Sequence, residues 1–388
     1  MPHDLKTPNV SRRPVAVTAC MLLLGTIVSY ALLLPLQSSD INEFLLPWFK
    51  VIDERGFAAM AGEYANYTPP YLYLLGIVSV FSGVIAPIYL IKSVGIAFTL
   101  FAALVFSFIV HDITRNKRHA LIAAFAFPLI PSVAINAAWW GQCDAIYTSF
   151  LLCAFLASLR KKPFLVVVFF SVAFSFKAQA VFFSPFLFFL LLNKEVPWKY
   201  LLAIPLIYAA MMTPAWLAGR SAVELATIYL SQGSYYRSLS MNSPNLWAVV
   251  KQFDLLSYKA GLVIGIGAAI AGNLLLIVYA QRKSWSPATV KLMLVSATLL
   301  LGPYLLPKMH DRYFFPADVF LILLATMYPR LVAAAGAMQV ASVAVALGFL
   351  GLISLSYAMP SIVGALFTTI ALIFVCRPLL QEQYRLAQ

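Results

Sequence analysis

Four short clusters of ionisable and amide residues interrupt an otherwise apolar chain, and each has residue types at a spacing that chemistry can use. Ser38-Ser39-Asp40-Ile41-Asn42-Glu43 follows the first long apolar run, and a carboxylate at the mouth of a bilayer cavity can take the proton from a hydroxyl as that hydroxyl attacks. The same loop also reads as a capping box, with Ser or Asp followed three residues later by Glu, and taken alone it favours that plainer reading. Trp139-Trp140-Gly141-Gln142-Cys143-Asp144 ends one apolar run and opens the next. An N-cap would explain Asp144 and an interfacial belt the tryptophans; neither explains Gln142 and flexible Gly141, which suit a loop shaped around a polar ligand. Phe176-Lys177-Ala178-Gln179 breaks the apolar stretch 163–192, and Lys177, with no acid beside it in sequence, suits an anion better than a snorkelling role. Pro307-Lys308-Met309-His310-Asp311-Arg312-Tyr313-Phe314-Phe315-Pro316 sets four ionisable residues between two apolar runs. There Arg312 can grip phosphate oxygens through paired hydrogen bonds, while Lys308 and His310 add donors and positive charge. Carboxylates for a base and cations for a phosphate are together what a lipid phosphate carrying a sugar would use.

The elements holding these clusters are membrane helices. The 388 residues are 62% hydrophobic and only 11% charged, against about 25% charged in an ordinary soluble domain. A span needs roughly 20 apolar residues. Apolar runs lie at 15–36, 68–83, 88–110, 120–138, 144–159, 163–176, 180–192, 200–218, 259–280, 288–306, 314–328, 331–349 and 352–375. The net charge of +13 reads as topology and not as nucleic-acid binding, because Lys and Arg gather in cytoplasmic loops. The basic clusters at Arg12-Arg13, Arg115 to Arg118, Arg160-Lys161-Lys162, Lys194 with Lys199, Arg282-Lys283, Arg330, and Arg377 with Arg385 therefore belong inside.

That assignment leaves three runs between two cytoplasmic segments, so one cannot cross. Run 68–83 is the shortest of the three, opens on Pro69-Pro70 and holds two glycines; it reads as re-entrant or interfacial. The expectation is an all-α polytopic fold of about twelve crossings, both termini cytoplasmic, with outer loops 37–67, 139–144, 177–179, 219–258 and 307–313. All four polar clusters then fall on the outer side, where most of the fourteen acids also fall. The chain reads as one domain, 1–388. Its catalytic helix module is 15–192 with first outer loop 37–83, and its variable module is 200–388. The first run, lacking a small-residue cleavage site, reads as a retained helix. The four scattered cysteines indicate neither a disulfide framework nor a metal site.

The clusters resemble those of the GT-C class of integral-membrane glycosyltransferases, which use polyprenyl- or dolichyl-phosphate sugars. The resemblance is to the branch related to the mannosyltransferases of glycosylphosphatidylinositol anchor synthesis. It is carried by Asp40-Ile41-Asn42 with Pro47-Trp48-Phe49 and Gly56, Asn66-Tyr67-Thr68-Pro69-Pro70-Tyr71-Leu72-Tyr73, Trp140-Gly141-Gln142-Cys143-Asp144, Lys177-Ala178-Gln179, Asn245-Leu246-Trp247, and Met309-His310-Asp311-Arg312-Tyr313-Phe314-Phe315-Pro316, in family order. Asp311 stands where the family has Glu. The resemblance implies juxtamembrane helices in the first outer loop, Asp40 as catalytic base and a supporting catalytic role for Asp144. It implies substrate contacts from Glu43, Gln142, Lys177, Gln179, Lys308, His310, Asp311, Arg312, Tyr313, Asn245 and Trp247. The implied donor is a polyprenyl-phosphate hexose, mannose first. The acceptor would be a glycan or glycolipid at the periplasmic face of a bacterial inner membrane. No cofactor and no metal is expected, because the departing monophosphate is met by cations.

Loop 219–258 adds Tyr235, Tyr236, Arg237 and Trp247, a mix that can stack on sugar rings or form an ordinary interfacial segment. Two rival readings use the same helices. A transporter or flippase for a lipid-linked sugar would put its polar site at the bilayer midplane and not at one face. A structural scaffold would leave the polar clusters without a role.

Overall fold

A computed structural model of the chain describes residues 13–234, 237–352 and 358–381. Arg12, Tyr235, Tyr236 and Arg385 lie outside the described residues. The chain is an all-α, polytopic membrane protein. Its described residues form α-helices joined by short 3-10 and π turns, with one sheet of two two-residue strands. Among the described residues, seven helices are long and apolar enough to cross a membrane: Pro14–Leu33, Pro87–Thr114, Trp198–Leu217, Tyr258–Gln281, Pro287–Leu305, Pro329–Phe349 and Met359–Leu380. A pair bent by 52°, Lys117–Leu129 with Pro131–Trp140, makes one more if it is a single span. Four shorter apolar helices, Asp144–Leu159, Pro163–Phe176, Ala178–Leu192 and Phe315–Met327, occupy other runs that the sequence reads as crossings.

Some boundaries differ from the sequence reading. The last helix starts at Met359 and ends at Leu380, so the run at 352–375 is displaced toward the C-terminus; Leu352 is already outside the preceding helix. Trp139 and Trp140 are not in a loop but close the π turn Ile135–Trp140, leaving only Gly141, Gln142 and Cys143 between helices. Run 68–83 folds as the helix Pro69–Ser79. Its eleven residues reach about 17 Å at 1.5 Å per residue, roughly half the hydrocarbon thickness. Its two prolines sit in the first turn, where the missing N–H has no partner to lose. With the π turn Ile41–Leu45, the helix Leu46–Arg55 and the 3-10 turn Gly56–Ala61, it makes the first loop a set of short helices.

One apolar core runs from Ile41 to Leu379 and draws on both modules; Phe155, for example, packs its ring against Phe186 and Phe320. Its two ends are chemically different. At one end Arg160 binds Asp112 (2.7 Å), and Lys291 binds Glu195 (2.5 Å) and the Ser158 carbonyl (3.0 Å). At the other lie Asp40, Lys177 and Arg312. The helices Asp144–Leu159 and Pro163–Phe176 are about 24 and 21 Å long, whereas their neighbour Pro87–Thr114 is about 42 Å. They stop short at the second end, and a polar cavity of about 850 Å³ opens over their tips.

Candidate functional site

The first loop reaches the cavity because its approach is pinned. The buried Lys92 Nζ donates to the carbonyls of Leu34 (2.7 Å) and Leu36 (2.5 Å), taking up oxygens that the end of the first helix leaves without partners. Ser38, not Asp40, takes the capping role: its Oγ accepts the Ile41 N–H at 3.3 Å and donates to the Trp140 carbonyl at 2.9 Å. Asp40 makes no capping hydrogen bond, and its side chain turns into the cavity wall. Three donors converge on its Oδ2: Gln142 Nε2 at 2.6 Å, Arg312 Nη1 at 2.8 Å and Trp140 Nε1 at 2.9 Å. Its Oδ1 receives no protein donor among the described residues. Gly141 lets Trp140 and Gln142 come this close: it sits at φ 74°, and a Cβ there would meet Ile41 Cδ1 at 2.8 Å.

Arg312 closes the arrangement from the other module. Its Nη2 donates to the Tyr67 hydroxyl at 3.3 Å, and Tyr67 donates in turn to Gln142 Oε1 at 3.1 Å, so Asp40, Arg312, Tyr67 and Gln142 form a ring of hydrogen bonds. The guanidinium carbon lies 5.7 Å from the Trp140 ring centre, within cation–π range. Its Nε is buried without a hydrogen-bond partner, 3.9 Å from Asp144 Oδ2.

Lys177 is not the unpaired cation that sequence suggests. Its Nζ donates to Asp144 Oδ1 at 2.5 Å, and Asn136 Nδ2 holds Asp144 Oδ2 at 2.9 Å. The two charges lie thirty-three residues apart in sequence, at the start of one helix and the end of the next. The antiparallel packing of Asp144–Leu159 against Pro163–Phe176 brings them together. Both are buried, and Asp144 lies behind the cavity wall. His310 also departs from expectation. Burial, with the charges of Arg312 and Lys177, pushes its imidazole down to about 3, so at neutral pH it is an uncharged hydrogen-bonding group and adds no positive charge. Burial pushes the Asp311 carboxyl up to about 7; Asp40 and Asp144 add to the rise, and Arg312 opposes it.

The cavity wall includes Asp40, Glu43, Gln142, Lys177, Gln179, His310, Asp311, Arg312 and Tyr313, nine of the residues expected from sequence. Four others are not there: Asp144, which lies behind the wall, and Lys308, Asn245 and Trp247. Lys308 has φ 65°, and its Nζ donates to the Gly233 carbonyl and lies 5.8 Å from the Tyr258 ring centre. Asn245 is the buried N-cap of Leu246–Gln252, donating to the carbonyls of Pro303 (3.0 Å) and Leu306 (3.4 Å), and Trp247 donates to the Leu305 carbonyl at 2.6 Å. These two bind the loop to the end of the helix Pro287–Leu305. The parallel pairing of Ser240–Met241 with Met309–His310 does the same for the cavity rim, placing Met241 and Asn242 in the wall.

Sequence reading gives no site role to Ser38, Tyr67, Trp140 or Asn136, nor to the wall residues Glu63, Asn66, Arg220, Glu224 and Gln232. Tyr67 and Trp140 stand inside stretches that carry the family resemblance. Arg220 and Glu224 show the i,i+4 spacing of an ion pair but nothing that ties them to the cavity. No family model and no curated protein matches the chain.

Proposed function

We propose that the chain is an inverting membrane glycosyltransferase. It moves a hexose, mannose first, from a polyprenyl-phosphate donor to an acceptor hydroxyl on a glycan or glycolipid. The observation that carries this reading is Asp40, which lines a polar cavity at the end of an apolar helix bundle with one carboxylate oxygen pinned by three donors and the other without a protein donor among the described residues. In the reaction, Asp40 Oδ1 accepts the proton of the acceptor hydroxyl as the hydroxyl oxygen bonds to the anomeric carbon. The carbon–oxygen bond to the phosphate breaks, its electron pair leaving with the lipid phosphate. Arg312 carries five N–H donors and commits two of them, one on each terminal nitrogen, to Asp40 and Tyr67, so the second hydrogen of each terminal nitrogen is left for the departing phosphate, while its buried Nε faces Asp144. Lys177 and Asp144 act from beneath, holding Arg312 in position.

Sidedness rests on charge. The basic loops gather at the end away from the cavity, so the positive-inside bias makes that end cytoplasmic and the cavity periplasmic, with twelve crossings and both termini inside.

Asp311 adds a pH dependence. Below about pH 7 its carboxyl is neutral; above it, a new negative charge appears beside Arg312 and weakens the grip on an anionic phosphate. The donor KM is expected to rise several-fold between pH 6 and pH 8, and Asp311→Asn to flatten that rise; an unchanged slope in the variant would remove Asp311 as its cause.

The function itself is tested with purified protein in detergent, given a polyprenyl-phosphate hexose and an acceptor sugar. The expected result is an inverted glycoside with an equal amount of polyprenyl phosphate released. A detergent micelle has no sidedness, so release of the phosphate speaks against transport; intact donor with each hexose tried would overturn the reading.

A further inference from the structure

The mechanism above uses one set of charged groups, and the same cavity wall carries a second: Glu63, Arg220 and Glu224. Arg220 is only 4% exposed. Its Nε (2.7 Å) and its Nη2 both donate to Glu224 Oε1, while its Nη1 is buried without a partner. Glu224 Oε2 is thus left to other donors. Glu63, from the loop ahead of Tyr67, stands beside Glu224, whose carboxyl pushes its own up from the usual range. A stabilising role alone would be met by Arg220 and Glu224, an i,i+4 pair at the start of the helix Ala222–Ser234 with the acid favourably placed against the helix dipole. Glu63 adds nothing to such a pair. It is a like charge beside Glu224, which pushes its carboxyl up, while the Arg220 charge opposes the rise.

Surplus carboxylate oxygens walling a cavity are receivers of hydroxyl hydrogens. Amides stand on the same rim, where Gln232 Nε2 donates to the Asn66 carbonyl at 2.5 Å. Glu63 lies four residues before Tyr67, which binds Arg312, so the two sets are joined by at most about 14 Å of extended chain. Both sets line one cavity, so a glycan headgroup lying across it can touch this set while presenting a hydroxyl to Asp40. Two acids against one base leave no excess of positive charge, so an anionic group gains nothing here.

We propose that Glu63, Arg220 and Glu224 form the acceptor subsite, that it binds an uncharged, hydroxyl-rich sugar, and that it rejects a sugar carrying a carboxylate or phosphate on the same ring. The inference rests on the glycosyltransferase reading. Its test uses an octyl hexoside and the matching octyl hexuronide as acceptors with a polyprenyl-phosphate hexose donor. Wild type is expected to glycosylate the hexoside and to use the hexuronide at least tenfold less well. Glu63→Gln, a change on an exposed side chain, should raise the KM for the hexoside about tenfold, what one hydrogen bond to a charged group is worth, while the donor KM holds. It should also narrow the gap between the two acceptors. Glu224→Gln should shift the hexoside KM in the same direction. Equal use of both acceptors by wild type, or an unmoved hexoside KM in both variants, overturns the subsite. Absence of any sugar release from the donor in wild type overturns the transferase reading, and the subsite with it.

Discussion

Asp40→Asn is expected to lower kcat by about 10²- to 10⁴-fold, the range a positioned general base contributes, while expression, thermal stability and donor KM stay near wild type. The substitution keeps the shape and keeps an oxygen for the three donors of Gln142, Trp140 and Arg312, so the ring of hydrogen bonds that includes Tyr67 can persist. What it removes is the ability of the second position to take a proton, because an amide nitrogen has no basic lone pair at neutral pH. Substrate-dependent release of polyprenyl phosphate, followed in detergent at saturating donor and acceptor, measures the effect. A variant that keeps more than a tenth of wild-type kcat would remove Asp40 as the base. Loss of activity together with loss of the folded protein would show instead that the carboxylate's charge is needed to hold Arg312.

The apolar pattern makes the fold class readable from sequence: burial in lipid demands long apolar helices with satisfied backbones, and the runs mark them. Run 68–83 could be singled out as too short because the basic residues impose a parity on the crossings, and it folds as an eleven-residue helix. Which segments cross is harder to read, since Asp144–Leu159 and Pro163–Phe176 are shorter than a span and are held by packing against longer neighbours. The cavity was legible where polar residues interrupt apolar runs, as at Asp40, Gln142, Lys177 and Arg312. It was not legible where the meaning depends on a partner distant in sequence. Lys177 looks unpaired until the packing of two helices brings Asp144 to it, and Lys308 looks like a neighbour of Arg312 until a positive φ turns it toward Gly233. Asn245 and Trp247 show the same limit. Their side chains resemble sugar-binding groups, yet the carbonyls exposed near Pro303 at the end of a helix need donors, and these two residues supply them.

Lys177→Met is expected to destabilise the protein by about 3–5 kcal/mol, because it strands the buried Asp144 carboxylate without its counter-charge. Asn136 still donates to Asp144 Oδ2, but one amide does not replace an ammonium group at 2.5 Å. Adding Asp144→Asn to that variant removes the stranded charge and should restore most of the lost stability, since two neutral side chains of similar size cost little more to bury than a well-bonded pair. Thermal unfolding in detergent of the wild type, both single variants and the double variant measures the coupling; additive losses would mean that the two residues do not act as a unit. Function should not return with stability. Asp144 Oδ2 lies 3.9 Å from Arg312 Nε, and without either charge the guanidinium loses that anchor, which in the proposed reaction directs it toward the phosphate. The double variant is therefore expected to be stable with a donor KM about tenfold above wild type. A double variant with both stability and donor KM restored would show that the pair holds two helices together and does nothing for the anion.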